Sequence, residues 1–170
     1  ALTVFLQNAL EAISASGFCL FTAQSFVPGI FFKLGPHHAL TRAVGKIATH
    51  LGLGVRLLLW MMPILRFNSV YLFPHAEAMR LATGLPFYMG SFVKLGERGF
   101  NLERMYSLRE GLTGKDDSLP DRLTKVPQDP NNPKTVVRLD KMLPVYYRVR
   151  GWDQNGAPKK RTLRRLGITE

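Results

Sequence analysis

The sequence predicts an all-α protein. Apolar residues recur at helical spacing in several segments, and no useful length of chain alternates apolar and polar residues with a period of two. Glycine or proline also stands at the ends of most periodic segments, where helices start and stop. A length of 170 residues suits one domain of ordinary size, or two small lobes of something larger. With 46% hydrophobic and 21% charged residues, the chain can bury a core and is not disordered by composition. It contains no internal repeat.

The first element runs from Thr3 to about Ala15, where Val4, Leu6, Leu10 and Ile13 with few breakers predict a buried helix. Ser14, Ser16 and Gly17 end it, because glycine at a helix C-terminus readily adopts the left-handed conformation. Cys19 then emerges just past the turn, where backbone amides can face an anion or a sulfur cluster. A distinct middle stretch spans Pro28 to about Phe73. Within it, His37-His38 and Ala39 to Leu51 read as one amphipathic helix, with Pro36 or Thr41 near its start and Gly52 and Gly54 after it. Val55 to Phe67 is strongly apolar, but Arg56, Pro63 and Arg66 leave it short of the ~20 apolar residues a membrane span needs. It reads as a buried helix, a hydrophobic flap or an interface segment.

Pro74 opens a short helix that runs to Thr83-Gly84, since proline suits the first turn. A longer helix is predicted from about Pro86 through Leu112. Its glycines Gly90, Gly96 and Gly99 cost helix stability, so close backbone packing is the expected use. Glu97, Arg98, Glu103, Arg104, Arg109 and Glu110 are spaced for ion pairs along it, which reads as a structural network. Lys115 to Arg138 holds Pro120, Pro127, Pro130 and Pro133 and reads as an extended surface connection. Leu139 to Val149 returns to helix, with Pro144 expected in its first turn. Gly151 to Gly156 is a turn carrying Trp152, which with Tyr147 is expected to anchor the tail. Pro158 to Leu166 forms a last short helix ended by Gly167.

The formal charge is +11, with one dense cluster at Lys159, Lys160, Arg161, Arg164 and Arg165. Such a cluster can neutralise phosphates, complement a helix dipole, or dock on an acidic remainder of the same protein. No aromatic interleaving or groove-reading motif accompanies it, so a nucleic-acid partner is not expected. A single cysteine excludes a disulfide scaffold and suits a reducing compartment. The opening Ala1-Leu2-Thr3-Val4 shows no signal peptide and reads as a start inside a helix, so a cytoplasmic location is expected.

Cys19 alone can form neither an intrachain disulfide nor a cysteine metal site. It is inert core filling, or one ligand of a site completed from elsewhere; taken by itself the thiol favours a buried structural role. His37, His38 and His75 are not spaced as two ligands on one helix face, and His37-His38 reads as a solvated helix start. A Cys-His nucleophile with His37, His38, His50 or His75 as base is chemically conceivable, but nothing in the sequence brings those residues together. There is no glycine-rich phosphate loop; Asp116-Asp117 could bind a cation, but adjacent carboxylates in a polar loop read first as solvated or helix-capping.

Gly96-Glu97-Arg98-Gly99-Phe100-Asn101-Leu102-Glu103-Arg104-Met105-Tyr106-Ser107-Leu108-Arg109-Glu110-Gly111 is a dense and specific block. Lys115 to Arg122 is a second, and Met142-Leu143, Tyr146-Tyr147, Arg150-Gly151-Trp152-Asp153, Asn155-Gly156 and Pro158 make a third. In order and spacing they resemble the C-terminal signature of the tungsten-containing aldehyde:ferredoxin oxidoreductase family. With the Cys19 region the resemblance covers both ends of the chain, and about 30–70 is weakly matched and reads as an insertion. The resemblance implies that residues 1–170 are a helical C-terminal region of a larger enzyme. That enzyme would hold a bis-pterin tungsten or molybdenum cofactor and one [4Fe–4S] cluster, oxidise a small aldehyde to a carboxylic acid, and pass electrons to ferredoxin or an iron–sulfur subunit.

In that family the fourth cluster cysteine comes from an Asp-x-x-Gly-Leu-Cys motif, which falls here on Ser14, Gly17, Phe18 and Cys19. By resemblance Cys19 is the metal ligand. Ser14 stands where the family has an aspartate that contacts a pterin, and brings hydrogen bonding without a carboxylate. Phe18, Leu20 and Phe21 are expected to shield the thiolate, since solvent exposure tunes a cluster's potential. The family's catalytic Glu and His lie upstream, so no catalytic residue is assigned here, and residues 1–170 alone are expected to be inactive. The implied partners are the remainder of the polypeptide, the electron acceptor and a second copy of the chain. The competing readings are a non-catalytic scaffold or binding subunit derived from the family, and a basic nucleic-acid-binding helical module.

Overall fold

The computed structural model describes residues 2–22, 33–34, 38–43, 61 and 74–169. Most of the predicted 39–51 helix, the apolar run at 55–67, His37 and His50 lie outside the described residues; 39–43 are helical. The named elements are α1 (Leu2–Ala15), α2 (Pro74–Thr83), α3 (Met89–Arg109), α4 (Asp121–Thr124), a 3-10 turn (Pro133–Thr135), α5 (Leu139–Arg150) and α6 (Lys160–Leu166). Among the described residues there is no strand, only isolated bridges pairing Asp129 with Asn132 and Trp152 with Pro158. The all-α expectation holds. No described helix is long and apolar enough to cross a membrane. The chain divides into two compact units, Ala1–Phe100 and Asn101–Glu170.

In the first unit, Ala9, Ala12 and Ile13 of α1 pack with Ala76 of α2 and with Met89, Phe92 and Val93 of α3. Phe5, Phe18 and Met79 close over this core. Val4 and Ile13 are buried as expected, whereas Leu6 and Leu10 are exposed, so α1 is covered on one side only. Small residues face inward because α3 approaches α1 very closely. A Cβ on Gly96 would land on the Asn8 carbonyl oxygen and 2.6 Å from the Ala12 nitrogen, and one on Gly99 would sit 2.8 Å from Glu11 Oε1. The glycines that weaken α3 as a helix therefore permit its contact with α1.

α3 is shorter than the sequence suggests, starting at Met89 rather than Pro86 and ending at Arg109 rather than Leu112. At its start the Ser91 hydroxyl accepts the Tyr88 N–H at 2.7 Å, half of a capping box. At its end Gly111 N–H donates to the Leu108 carbonyl and Leu112 N–H to that of Ser107, closing the last turn before Leu112 can join it. α2 begins at Pro74 as expected, and Glu77 in its first turn takes two hydrogen bonds from Arg80.

In the second unit, Leu163, Leu166 and Ile168 pack with Met105. Tyr147, Arg150 and Trp152 are also buried, and Asn101 is fully so. Pro144 is not in the first turn of α5 but is its sixth residue. Its ring removes the bond to the Asp140 carbonyl, and both residues are exposed, so water can replace it. The connection over 115–138 is not wholly extended either: it contains α4 and the 3-10 turn, and Val137 N–H donates to the Leu123 carbonyl at 2.9 Å. α6 starts at Lys160 rather than Pro158, because Pro158 pairs with Trp152 across the preceding turn.

Candidate functional site

Cys19 follows a tightly closed helix end. Gly17 has φ +76°, its N–H donates to the Ser14 carbonyl at 3.0 Å, and the Phe18 N–H donates to that of Ile13 at 3.1 Å. This is a Schellman closure, and only glycine takes its left-handed residue without strain. Phe18 turns inward onto the core while Cys19 is an exposed free thiol. A 3-10 turn follows over 20–22, with the Thr22 N–H and hydroxyl both donating to the Cys19 carbonyl. Cys19 is thus bracketed by the closed end of α1 before it and by the bonds from Thr22 after it.

Leu20 is 50% and Phe21 83% exposed, so neither shields the thiol within this chain. The thiol and the two apolar side chains that follow it in the chain are all exposed. Ser14 is exposed at the end of α1, one turn before Gly17. The expectation of a buried structural cysteine is therefore corrected: the closed helix end directs Phe18 inward and leaves position 19 at the surface. Among the described residues, no three His, Cys, Asp or Glu side chains gather as a metal site.

His75, named in the sequence only as a conceivable base for Cys19, lies beside this turn against Phe18 and Thr22. It is buried on α2, edge-on to Phe18 at 5.3 Å and stacked with Phe92 at 6.2 Å. Its Nε2 lies 2.7 Å from the Thr22 hydroxyl, and burial holds its pKa below the ordinary histidine value. No local spacing could have revealed a contact spanning 53 positions.

A second polar constellation occupies the other unit. Arg104 grips Asp117 with two bonds of 2.7 and 2.8 Å, and its Nε donates to the Gly156 carbonyl at 2.9 Å. Its guanidinium lies 5.0 Å from the Trp152 ring centre, and the Trp152 N–H donates to Asn101 Oδ1 at 2.8 Å. The Tyr147 hydroxyl donates to Asp117, and burial, then this bond, pushes the tyrosine pKa up to about 12. Hence Asp117 is half-buried in an ion pair rather than free in solvent or capping a helix, and the principal ion pair of Arg104 leaves its own helix. Arg109 pairs at 3.5 Å with its neighbour Glu110 at the surface. Asp116 accepts the Thr113 N–H and hydroxyl, which hold its carboxyl below the usual range.

Asn101, Arg104, Asp117, Tyr147, Trp152 and Gly156 come from the three sequence blocks described above, and they converge on one another. Trp152 and Tyr147 are buried anchors, as expected. The basic cluster at Lys159, Lys160, Arg161, Arg164 and Arg165 is exposed on and just before α6, with Arg164 and Arg165 in the helix's last turn. There they complement the negative end of the helix dipole.

Residues 1–168 match the family described as aldehyde ferredoxin oxidoreductase, domains 2 and 3, and the chain belongs to that family. A tungsten-containing aldehyde ferredoxin oxidoreductase of Pyrococcus furiosus is 40% identical over 99 residues, which is 56% of this chain and 16% of that relative. Enzymes of the same description from Pyrococcus abyssi and Pyrococcus horikoshii are 39% and 38% identical over the same shares. The chain thus matches about one sixth of the length of these curated relatives.

Proposed function

We propose that this chain is the cluster-side helical part of an aldehyde-oxidising enzyme, in which Cys19 donates one thiolate to a [4Fe–4S] cluster. The observation that carries the reading is the exposed thiol just past the closed end of α1, followed in the chain by the exposed Leu20 and Phe21. Those features fit the cluster. Its ligands are thiolates, and apolar surroundings limit the solvent access that tunes its potential. The other three ligands and the tungsten or molybdenum pterin would come from the rest of the polypeptide.

When bound, the cluster carries single electrons from the metal–pterin centre to an acceptor such as ferredoxin. Oxidation of an aldehyde to a carboxylic acid adds one water oxygen and releases two electrons and two protons. The chain's own residues contribute positioning. Gly17 fixes the turn, Phe18 anchors it in the core, and Leu20 and Phe21 exclude water around the sulfur once their outer faces are covered. Ser14 can offer a pterin a neutral hydrogen bond. A cytoplasmic location with ferredoxin or an iron–sulfur subunit as partner belongs to the same reading.

In the full-length protein, Cys19→Ala should remove the low-temperature paramagnetic signal of the reduced cluster and abolish aldehyde-dependent dye reduction. A complete four-iron cluster in that variant would refute the ligand assignment. Ser14, in place of the family's carboxylate, favours a second reading as a non-catalytic binding subunit. Metal analysis separates the two: the enzyme holds iron together with tungsten or molybdenum, and the binding subunit holds neither.

A further inference from the structure

Thr22 makes two hydrogen bonds to one atom. Its backbone N–H reaches the Cys19 carbonyl at 3.0 Å, and its hydroxyl donates to the same oxygen at 2.5 Å. A hydroxyl has one proton to give. With that proton on the Cys19 carbonyl, the 2.7 Å contact between Thr22 Oγ1 and His75 Nε2 must be donated by the imidazole. The chain of donation therefore has a direction, from His75 Nε2–H to the Thr22 hydroxyl to the Cys19 carbonyl. Successive hydrogen bonds of this kind polarise one another.

His75 is well placed to be the fixed end of that relay. Its ring is 4% exposed and held between Phe18 and Phe92. Phe18 immediately precedes the cysteine, and Thr22 follows it by three positions. One side chain on α2 thus touches the ligand turn on both sides of the thiol, by ring contact before it and by hydrogen bond after it.

We propose that His75 and Thr22 are positioning residues for Cys19, fixing the backbone of the ligand residue and so the direction in which its sulfur meets the cluster. The inference rests on the reading of Cys19 as a cluster ligand. Groups that orient a metal ligand without touching the metal typically change metal retention by 10–100-fold when removed.

The test uses the full-length, cofactor-loaded protein with Thr22→Val, Thr22→Ser, His75→Leu, His75→Gln and Cys19→Ala. It reads the rate of iron release to a strong chelator and the midpoint potential of the cluster. Thr22→Val and His75→Leu should each release iron about tenfold faster and move the potential in the same direction. Thr22→Ser keeps the hydroxyl and His75→Gln can place an amide donor near Nε2, so both should return toward wild type. Thr22 is exposed, so its variants keep the fold if His75→Leu does not. Because both residues act through one relay, Thr22→Val with His75→Leu should be no worse than either alone. Fully additive effects would show two independent packing losses and overturn the relay. Wild-type iron release and potential in Thr22→Val and His75→Leu, with the cluster lost in Cys19→Ala, would overturn the positioning role and leave the ligand assignment standing. An intact cluster in Cys19→Ala would remove the ligand assignment and this inference with it.

Discussion

The Cys19 turn and the Arg104 cluster place their chemical groups in opposite ways. Around Arg104, a guanidinium, a carboxylate, a phenol, an indole and a backbone carbonyl all face one another. Asp117 takes two bonds from arginine and one from tyrosine, and the arginine has a third acceptor and an aromatic face. Around Cys19 its carbonyl accepts two bonds from Thr22, while the thiol and two large apolar side chains are exposed. An inward-facing cluster of that kind holds a fold together. A rigid backbone presenting an exposed reactive group is suited to meeting something else. The chain's most specific sequence blocks supply the first kind of site, and its single cysteine the second.

The largest expected effect falls on the inward-facing cluster. Arg104→Met leaves the Asp117 carboxylate without its cation, in a pair whose side chains are 11% and 24% exposed. Breaking such a pair from one side should lower the unfolding free energy by about 3–5 kcal/mol, measured by urea denaturation. A negligible change would mean that the cluster behaves as open surface, and the contrast with Cys19 would collapse.

A smaller effect should appear in alkali. Tyr147 keeps its proton to about pH 12 in the folded protein, whereas the unfolded tyrosine loses it near pH 10. The unfolded state therefore binds fewer protons in that window, so stability is fully present below about pH 10 and falls as the pH rises toward 12. The loss should be roughly 2–3 kcal/mol, and Tyr147→Phe should abolish this component of the pH dependence.

The smallest effect is expected at the outward-facing site. Cys19→Ala should change the stability of the metal-free protein by less than about 0.5 kcal/mol, as surface substitutions usually do. In the same metal-free protein, a thiol reagent should titrate Cys19 without denaturant. A slow or incomplete reaction would mean that the thiol is covered, and the comparison would have to be redrawn.

Local chemistry made much of the fold legible. Pro74 marks the start of α2, while Gly17, Gly151 and Gly167 mark helix ends whose left-handed residue is a short-range demand. The position of Cys19 just beyond the first such end was readable for the same reason. Partnerships formed by tertiary packing were not. Asp117 reaches Arg104 because the loop after α3 folds back, and its neighbour Asp116 has the same local pattern with a different partner. Thr22 and His75 meet only when α2 packs against the end of α1. Pro144 was misplaced because solvent tolerates the missing bond deep in α5, which no local rule signals.

The bare Cα of Gly96 also acts as a mechanical bearing. α1 is a rod of 14 residues, about 21 Å long, and α3 rests on it at Asn8 and Ala12. A rod seated at such a fulcrum transmits any lift to its tip, and the tip of this one carries Gly17, Phe18 and the sulfur. The absence of a side chain at position 96 therefore lets α3 seat α1 less than one turn before the end that leads into the Cys19 turn.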